Sequence, residues 1–185
     1  MNFETYRPLA LRTAKLFPTQ GRNLAHAALG LITEIGEFAS EVKRIVIYGK
    51  PLNEDMRLQM LEELGDACWY VPLALHAEGI EHFDYAGTQK ALALAHDNLE
   101  RITYALNEMS GKVSDITLRA DQRDCVPHLL AVVALIDIAA GLLGTTGDQV
   151  RADNIKKLRL RFPDKYSDAA AEARADKAGV DHRNS

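Results

Sequence analysis

Two carboxylate pairs at helical spacing carry the chemistry of this chain. The first is Glu34 and Glu37, in Gly30-Leu31-Ile32-Thr33-Glu34-Ile35-Gly36-Glu37. The second is Glu63 and Asp66, in Leu61-Glu62-Glu63-Leu64-Gly65-Asp66. An i, i+3 spacing puts both members of a pair on one face of a helix. Between the pairs lies the breaker segment Tyr48-Gly49-Lys50-Pro51-Leu52-Asn53. If it reverses the chain near Lys50, position 37 faces position 63 and position 34 faces position 66. Four like charges at one level are costly unless a positive group sits among them. Oxygen-only donors favour a hard divalent cation in that role.

Positioning these groups takes long helices, and helices fill the chain. β-Branched residues are scattered and do not alternate with polar ones, so strand signals are scarce. A first helix is expected over about Phe3–Leu16, stopped before Pro18. A second runs from an N-cap at Asn23 to about Ile47. Its ladder Leu24, Ala28, Leu31, Ile35, Phe38, Val42 and Ile45 steps by four and three, a seam for packing on other helices. Glu34, Glu37 and Glu41 follow the same rhythm one residue earlier, so they line the margin of that seam. A third helix, about Asn53–Ala77, has the seam Leu58, Leu61, Leu64, Cys68, Val71 and Leu75, with Gly79 as its stop. A fourth spans about Ala86–Met109 and ends at Gly111. A fifth runs from about Asp124 to Leu143, with Pro127 tolerated in its first turn. The Gly144-Thr145-Thr146-Gly147 loop follows. A short basic helix then opens at Asp153 or Asn154 and stops at Pro163. A last helix covers about 164–178, with Gly179 after it. There is no internal repeat and no linker, so a single helical domain over 1–185 is expected.

Glycines Gly30, Gly36 and Gly65 fall inside these helices, where each costs ~1 kcal/mol relative to alanine. Close approach of a neighbour, or room for a ligand, accounts for such a cost. With these blocks in view, the chain resembles the MazG-like nucleotide pyrophosphohydrolases. The resemblance rests on Glu34-x-x-Glu37, 25 intervening residues and Glu63-x-x-Asp66. Two longer blocks carry it further: Asn23 to Glu37, and Glu62-Glu-Leu-Gly-Asp-Ala-Cys-Trp-Tyr70. Asn154-Ile-Lys-Lys157-Leu-Arg-Leu-Arg161 is similar to the family's downstream Asn-x-x-Lys element.

The resemblance implies an all-α antiparallel helix bundle of the all-α NTP pyrophosphatase type. It implies a Mg²⁺-dependent enzyme, with Mn²⁺ able to substitute, that hydrolyses a nucleoside triphosphate between its α and β phosphates. The products are the monophosphate and pyrophosphate. Glu34, Glu37, Glu63 and Asp66 are then both metal ligands and catalytic residues, one of them able to orient or deprotonate the attacking water. Asn154, Lys157 and Arg161 are then the substrate-binding residues, the two cations neutralising phosphate charge. Helical dUTP/dCTP-type and phosphoribosyl-ATP pyrophosphatases share this chemistry, and nothing in the sequence selects a base. The family is usually oligomeric, with helices of two subunits completing a bundle, so a homodimer or homotetramer is expected. The 87 residues between Asp66 and Asn154 exceed a minimal four-helix unit, and the fourth helix with its connection over 111–123 reads as an elaboration.

Other residues have ordinary explanations. Glu41 has its mirror position near Gln59, which places it at the edge of the site. His26, two turns before Glu34, suits a helix surface or core. Trp69 and Tyr70 suit core packing better than stacking on a base. Asp137, inside an apolar helix, can pair with a lysine or face a second cleft. Lys156, Lys157, Arg159 and Arg161 also fit a solvated basic face. Lys165 and Tyr166 belong to a segment placed to cover the site.

Bulk properties narrow the field. A length of 185 residues supports one domain with a real core, and the hydrophobic fraction of 47% is ordinary for a globular protein. A net charge of −4 gives no basic field for nucleic acid. Cys68 and Cys125 sit in apolar helical contexts, as buried free thiols do. No stretch reaches the ~18 uncharged apolar residues of a membrane span; the longest, Leu129–Leu143, is broken by Asp137. Met1-Asn2-Phe3-Glu4 lacks the features of a signal peptide. A cytoplasmic location, without membrane or nucleic-acid partners, is the expectation. A ferritin-like di-iron protein would use Glu-x-x-His, which does not occur here. A non-catalytic helical interaction module is the remaining alternative.

Overall fold

Capping side chains set most of the helix starts. The computed structural model describes residues 1–81, 97–119 and 125–173, and among them are seven helices and no strand. Helix α1 covers Phe3–Leu11, α2 Gln20–Val46, α3 Glu54–Ala77, α4 Leu99–Arg119, α5 Val126–Leu142, α6 Gly147–Arg161 and α7 Asp168–Ala173. Asn2, Thr19, Asn53 and Thr146 each accept a hydrogen bond from the backbone N–H three residues on, satisfying a donor the helix leaves open. Gly79 and Gly144 follow α3 and α5 at φ 69° and 76°, a left-handed backbone that a side chain disfavours.

Several boundaries differ from the sequence expectation, for identifiable reasons. The first helix stops at Leu11, well short of Leu16. The Ala10 carbonyl at its end accepts from Thr13 Oγ1 at 2.7 Å and from the Trp69 indole at 3.2 Å. Thr19, not Asn23, caps α2. Asn23 lies inside the helix and clamps the preceding loop, accepting from the Phe17 N–H at 2.7 Å and donating to its carbonyl at 3.0 Å. Gly111 does not end the fourth helix, which continues to Arg119 because Val113 and Ile116 keep its apolar row in the core. The first part expected of that helix, 86–96, lies outside the described residues, as does part of the connection placed at 111–123. The basic helix begins at Gly147, two turns before Asp153. The last helix is described over Asp168–Ala173, and 174–178 lie outside the described residues.

Helices α2, α3, α5 and α4 form a closed ring of neighbours, each packed on the next. One chain therefore supplies all four helices of a bundle. The α2 seam is buried from Leu24 to Val42, and Ile45 is partly buried. In α3 the seam begins with Met56 and Met60 instead of Leu58 and Leu61: Leu58 is exposed and Leu61 half-buried. Helix α5 is apolar nearly all round and is the most enclosed, as expected for a helix covered on every side. Its Asp137 pairs with Arg151 of α6 at 2.6 Å. Arg151 is 1% exposed and also reaches Asp148 and the Met1 carbonyl. Helix α6 lies across α3 and α5, with α1 packed on it. No single helix among the described residues is long and apolar enough to cross a membrane.

Candidate metal centre

The hairpin of α2 and α3 brings Glu34, Glu37 and Glu63 together. One carboxylate oxygen from each can be chosen so that all three lie within 4.8 Å of one another. Glu63 is buried, Glu34 half-buried and Glu37 exposed, so the group opens to solvent on one side. Glu34 and Glu63 share a hydrogen bond. Burial pushes the Glu63 carboxyl up to about 8, helped by the charges of Glu37, Asp66, Glu34 and Glu62. Burial also raises Glu34, to about 7, with the charges of Asp66 and Glu37 adding to it and Lys157 opposing. Like charges that cannot all ionise in one place hold protons in this way. A divalent cation would displace those protons. An oxygen-only set of this kind suits Mg²⁺, Mn²⁺ or Ca²⁺ better than softer metals.

Asp66 stands beside the three but is turned to α6. Lys157 Nζ lies 2.6 Å from Asp66 Oδ1 and bonds Oδ2 as well, and it reaches Glu62 at 3.1 Å. Burial works against the Lys157 ammonium, and the two carboxylates more than offset it, leaving its pKa above the ordinary value. Asn154 Nδ2 donates to Asp66 Oδ1 at 2.8 Å, and Tyr6 donates from its buried hydroxyl to Asn154 Oδ1 at 2.8 Å. Gly65 makes this possible: a Cβ there would stand 3.2 Å from Asn154 Cβ. A cavity of about 280 Å³ opens beside the chain of bonds, lined by Leu58, Leu61, Gly65, Val150, Asn154 and Lys157 among others.

The remaining candidates fall in different places. Arg161 donates to the Ala171 carbonyl at 3.5 Å and stacks over Phe162, so it ties α6 to α7. Its charge is felt at Tyr70, whose hydroxyl burial, Glu34 and Asp66 together push up to about 12. Glu41 is buried, with both oxygens held by Arg44, and is no open edge of the site. Tyr70 packs on Gly30, where a Cβ would overlap the ring. It forms an edge-to-face cluster with His26 and Trp69, and Phe17 completes it through His26. Burial favours the neutral form of His26. The Trp69 indole donates to Thr13 Oγ1 at 2.9 Å and is used in packing. Tyr166 docks on the segment after α1 through its backbone and through Asp168 and Lys15. Gly36 has nothing within 4 Å of where a Cβ would sit.

Tyr6 and Glu62 are the site neighbours that sequence reasoning missed. Tyr6 sits on α1, five helices before the Asn154 that it holds. Glu62 was visible beside Glu63, but only the placement of Lys157 gives it a role. Comparison of the chain with protein-family models, with curated proteins and with solved structures finds no match in any of the three.

Proposed function

We propose that this chain is a divalent-cation-dependent hydrolase of nucleoside triphosphates, cleaving between the α and β phosphates to give a monophosphate and pyrophosphate. The observation that carries the reading is the convergence of Glu34, Glu37 and Glu63 beside an Asp66–Lys157 ion pair. Acidic side chains repel a triphosphate, and a lysine alone does not explain three carboxylates gathered around a common space. A cation held by the carboxylates supplies the missing link: it binds phosphate oxygens, offsets their charge and lowers the proton affinity of bound water. The sequence resemblance to MazG-like pyrophosphohydrolases supports the same reaction.

In this mechanism Glu34, Glu37 and Glu63 would hold the cation, with Asp66 beside them engaged by Lys157 and Asn154. Lys157 has two alternative acceptors, Asp66 and an incoming phosphate. Transfer of Lys157 to phosphate would free Asp66 to accept a proton from the attacking water. Asn154, fixed by Tyr6, keeps Asp66 oriented in both states. Positioned charge of this kind contributes most where negative charge develops in the transition state. Arg161 is close enough to Tyr70 to act by charge on the same region.

The test is release of pyrophosphate from a panel of canonical and modified NTPs and dNTPs, with and without Mg²⁺. Mg²⁺-dependent release by the wild type, lost in Glu63→Gln, supports the reading. Release that ignores Mg²⁺ or survives the substitution rejects it.

A further inference from the structure

Leu58 and Leu61 are apolar residues that the core leaves unused. The seam of α3 runs through Met56 and Met60, while Leu58 is 52% exposed and Leu61 half-buried. Both line the cavity of about 280 Å³ between α3 and α6. Val150 lines it from the α6 side, and Gly65 adds backbone without a side chain. Apolar walls left facing water are unfavourable. A concave apolar surface with a few polar groups at its edge is the usual form of a small-molecule site.

Size and position say which part of a ligand would fit. Ligand pockets run from roughly 300 to 1,000 Å³, so about 280 Å³ suits a base with its sugar and is too small for a whole nucleoside triphosphate. Lys157 lines the same cavity and bonds Asp66 beside Glu34, Glu37 and Glu63. It therefore stands between the acidic group and the cavity. A phosphate chain that engages Lys157 leads from one to the other.

The edge of the cavity says which base. Asp153 and Glu62 carry it, and both are exposed. Gln149 donates to Asp153 Oδ2 at 3.0 Å, and Lys157 donates to Glu62 Oε1 at 3.1 Å. Among the described residues no donor reaches Asp153 Oδ1 or Glu62 Oε2. Carboxylates only accept, so this edge suits a ring that presents donors. Guanine sets its N1–H and 2-amino group side by side, matching the two oxygens of one carboxylate. Adenine and cytosine offer an amino group beside a ring acceptor. Uracil and thymine offer one N–H between two carbonyls, which a carboxylate repels.

We propose, resting on the nucleotide reading above, that the α3–α6 cavity is the nucleoside subsite and that Asp153, held by Gln149, selects a guanine-type base. Leu58 and Asp153 belong to neither the acidic group nor its basic partners, so the subsite is testable apart from catalysis.

Titration calorimetry of the full chain with guanosine and uridine monophosphates, without added metal, makes that test. The guanine nucleotide is expected to bind at least about tenfold more tightly, the value of one good two-bond pair. Asp153→Asn is expected to bring the two within about threefold of each other, because an amide oxygen is the one acceptor left. Leu58→Asn is expected to weaken both several-fold at unchanged helical circular dichroism, since its side chain lies half outside the core. Equal binding of the two nucleotides by the wild type, an unchanged preference in Asp153→Asn, or no binding of either at about 1 mM, the top of the usual KM range, overturns the proposal. The hydrolysis panel keeps the two readings apart. Mg²⁺-dependent pyrophosphate release without base preference rejects the subsite and leaves the reaction standing. Guanine-selective binding without hydrolysis of any nucleotide rejects the reaction and leaves the subsite.

Discussion

Lys157 on α6 closes on Asp66 of α3 with its ammonium on both carboxylate oxygens. The pair joins the helix that carries half of the acidic group to the helix that carries the basic one. On the proposed reading it also sets up a competition, since Lys157 occupies a carboxylate next to the group that would hold the cation.

Replacing Lys157 with Met should therefore separate binding from turnover. Removing a positive charge that opposes the proton affinity of Glu34 leaves the site more negative, so Mn²⁺ should bind several-fold more tightly, read by titration calorimetry. Phosphate would lose its neutralising partner, and hydrolysis should fall by on the order of 10²-fold, the usual cost of deleting one positioned charge. Weaker Mn²⁺ binding in the variant would show that Lys157 supports the cation instead of competing with it.

The raised carboxylates predict how stability responds to pH. Glu34 at about 7 and Glu63 at about 8 both exceed the ordinary 4.5. Between pH 4.5 and about 8 the folded chain binds more protons than the unfolded chain. Linkage then requires stability to fall as pH rises through that window. The metal-free protein should melt at a lower temperature at pH 8.5 than at pH 5.5. Glu63→Gln should flatten the slope, and Mg²⁺ should raise the midpoint more at pH 8.5 than at pH 5.5. A metal-free midpoint that climbs with pH across this range would contradict the shared-proton arrangement.

The hairpin and the acidic group were readable because both depend on local rules. Seam spacing fixes which face of α2 is buried, and the breaker around Lys50 fixes where the chain turns, so Glu34 and Glu37 had to approach Glu63. Asp66 was read as one of four equals, and its partner came from α6, 91 residues further on. Spacing within one helix carries no information about that crossing. The end of α1 was misjudged for the same reason: the indole that caps it comes from Trp69. Gly111 was read as a stop because a lone glycine often marks one, yet the core contacts of Val113 and Ile116 outweigh its ~1 kcal/mol. Thr146 was read as loop, and its capping bond to Gln149 moved the start of α6 two turns earlier.

Two glycines of α2 should respond oppositely to alanine. Gly30 lies under the Tyr70 ring, and a Cβ there would overlap it, so Gly30→Ala must displace Tyr70 or part the helices. Overpacking of this kind costs about 1–3 kcal/mol. Gly21, in the first turn, has nothing within 4 Å, and Gly21→Ala should stabilise by up to about 1 kcal/mol through helix propensity. Urea unfolding of the two variants measures both. Equal effects would mean that Tyr70 is not held against Gly30.

Arg151 makes the last prediction, and it concerns the fold more than the site. Its guanidinium is buried at the junction of α5, α6 and the N-terminal residues, with Asp137 as its most enclosed partner. Asp137 also sits where a Cβ on Gly147 would fall, so one carboxylate fixes both the start of α6 and its first buried cation. Asp137→Ala leaves that cation short of its partner inside the protein. Breaking a buried pair from one side costs about 3–5 kcal/mol, and Asp148, which is more exposed, offsets only part of it. The expected loss is about 3 kcal/mol by urea unfolding. Replacing both residues by apolar ones, Asp137→Leu with Arg151→Met, should recover most of it, because no charge is then stranded. If the double variant is no more stable than Asp137→Ala, the pair contributes through its geometry at the α5–α6 bend and not through relief of a buried charge.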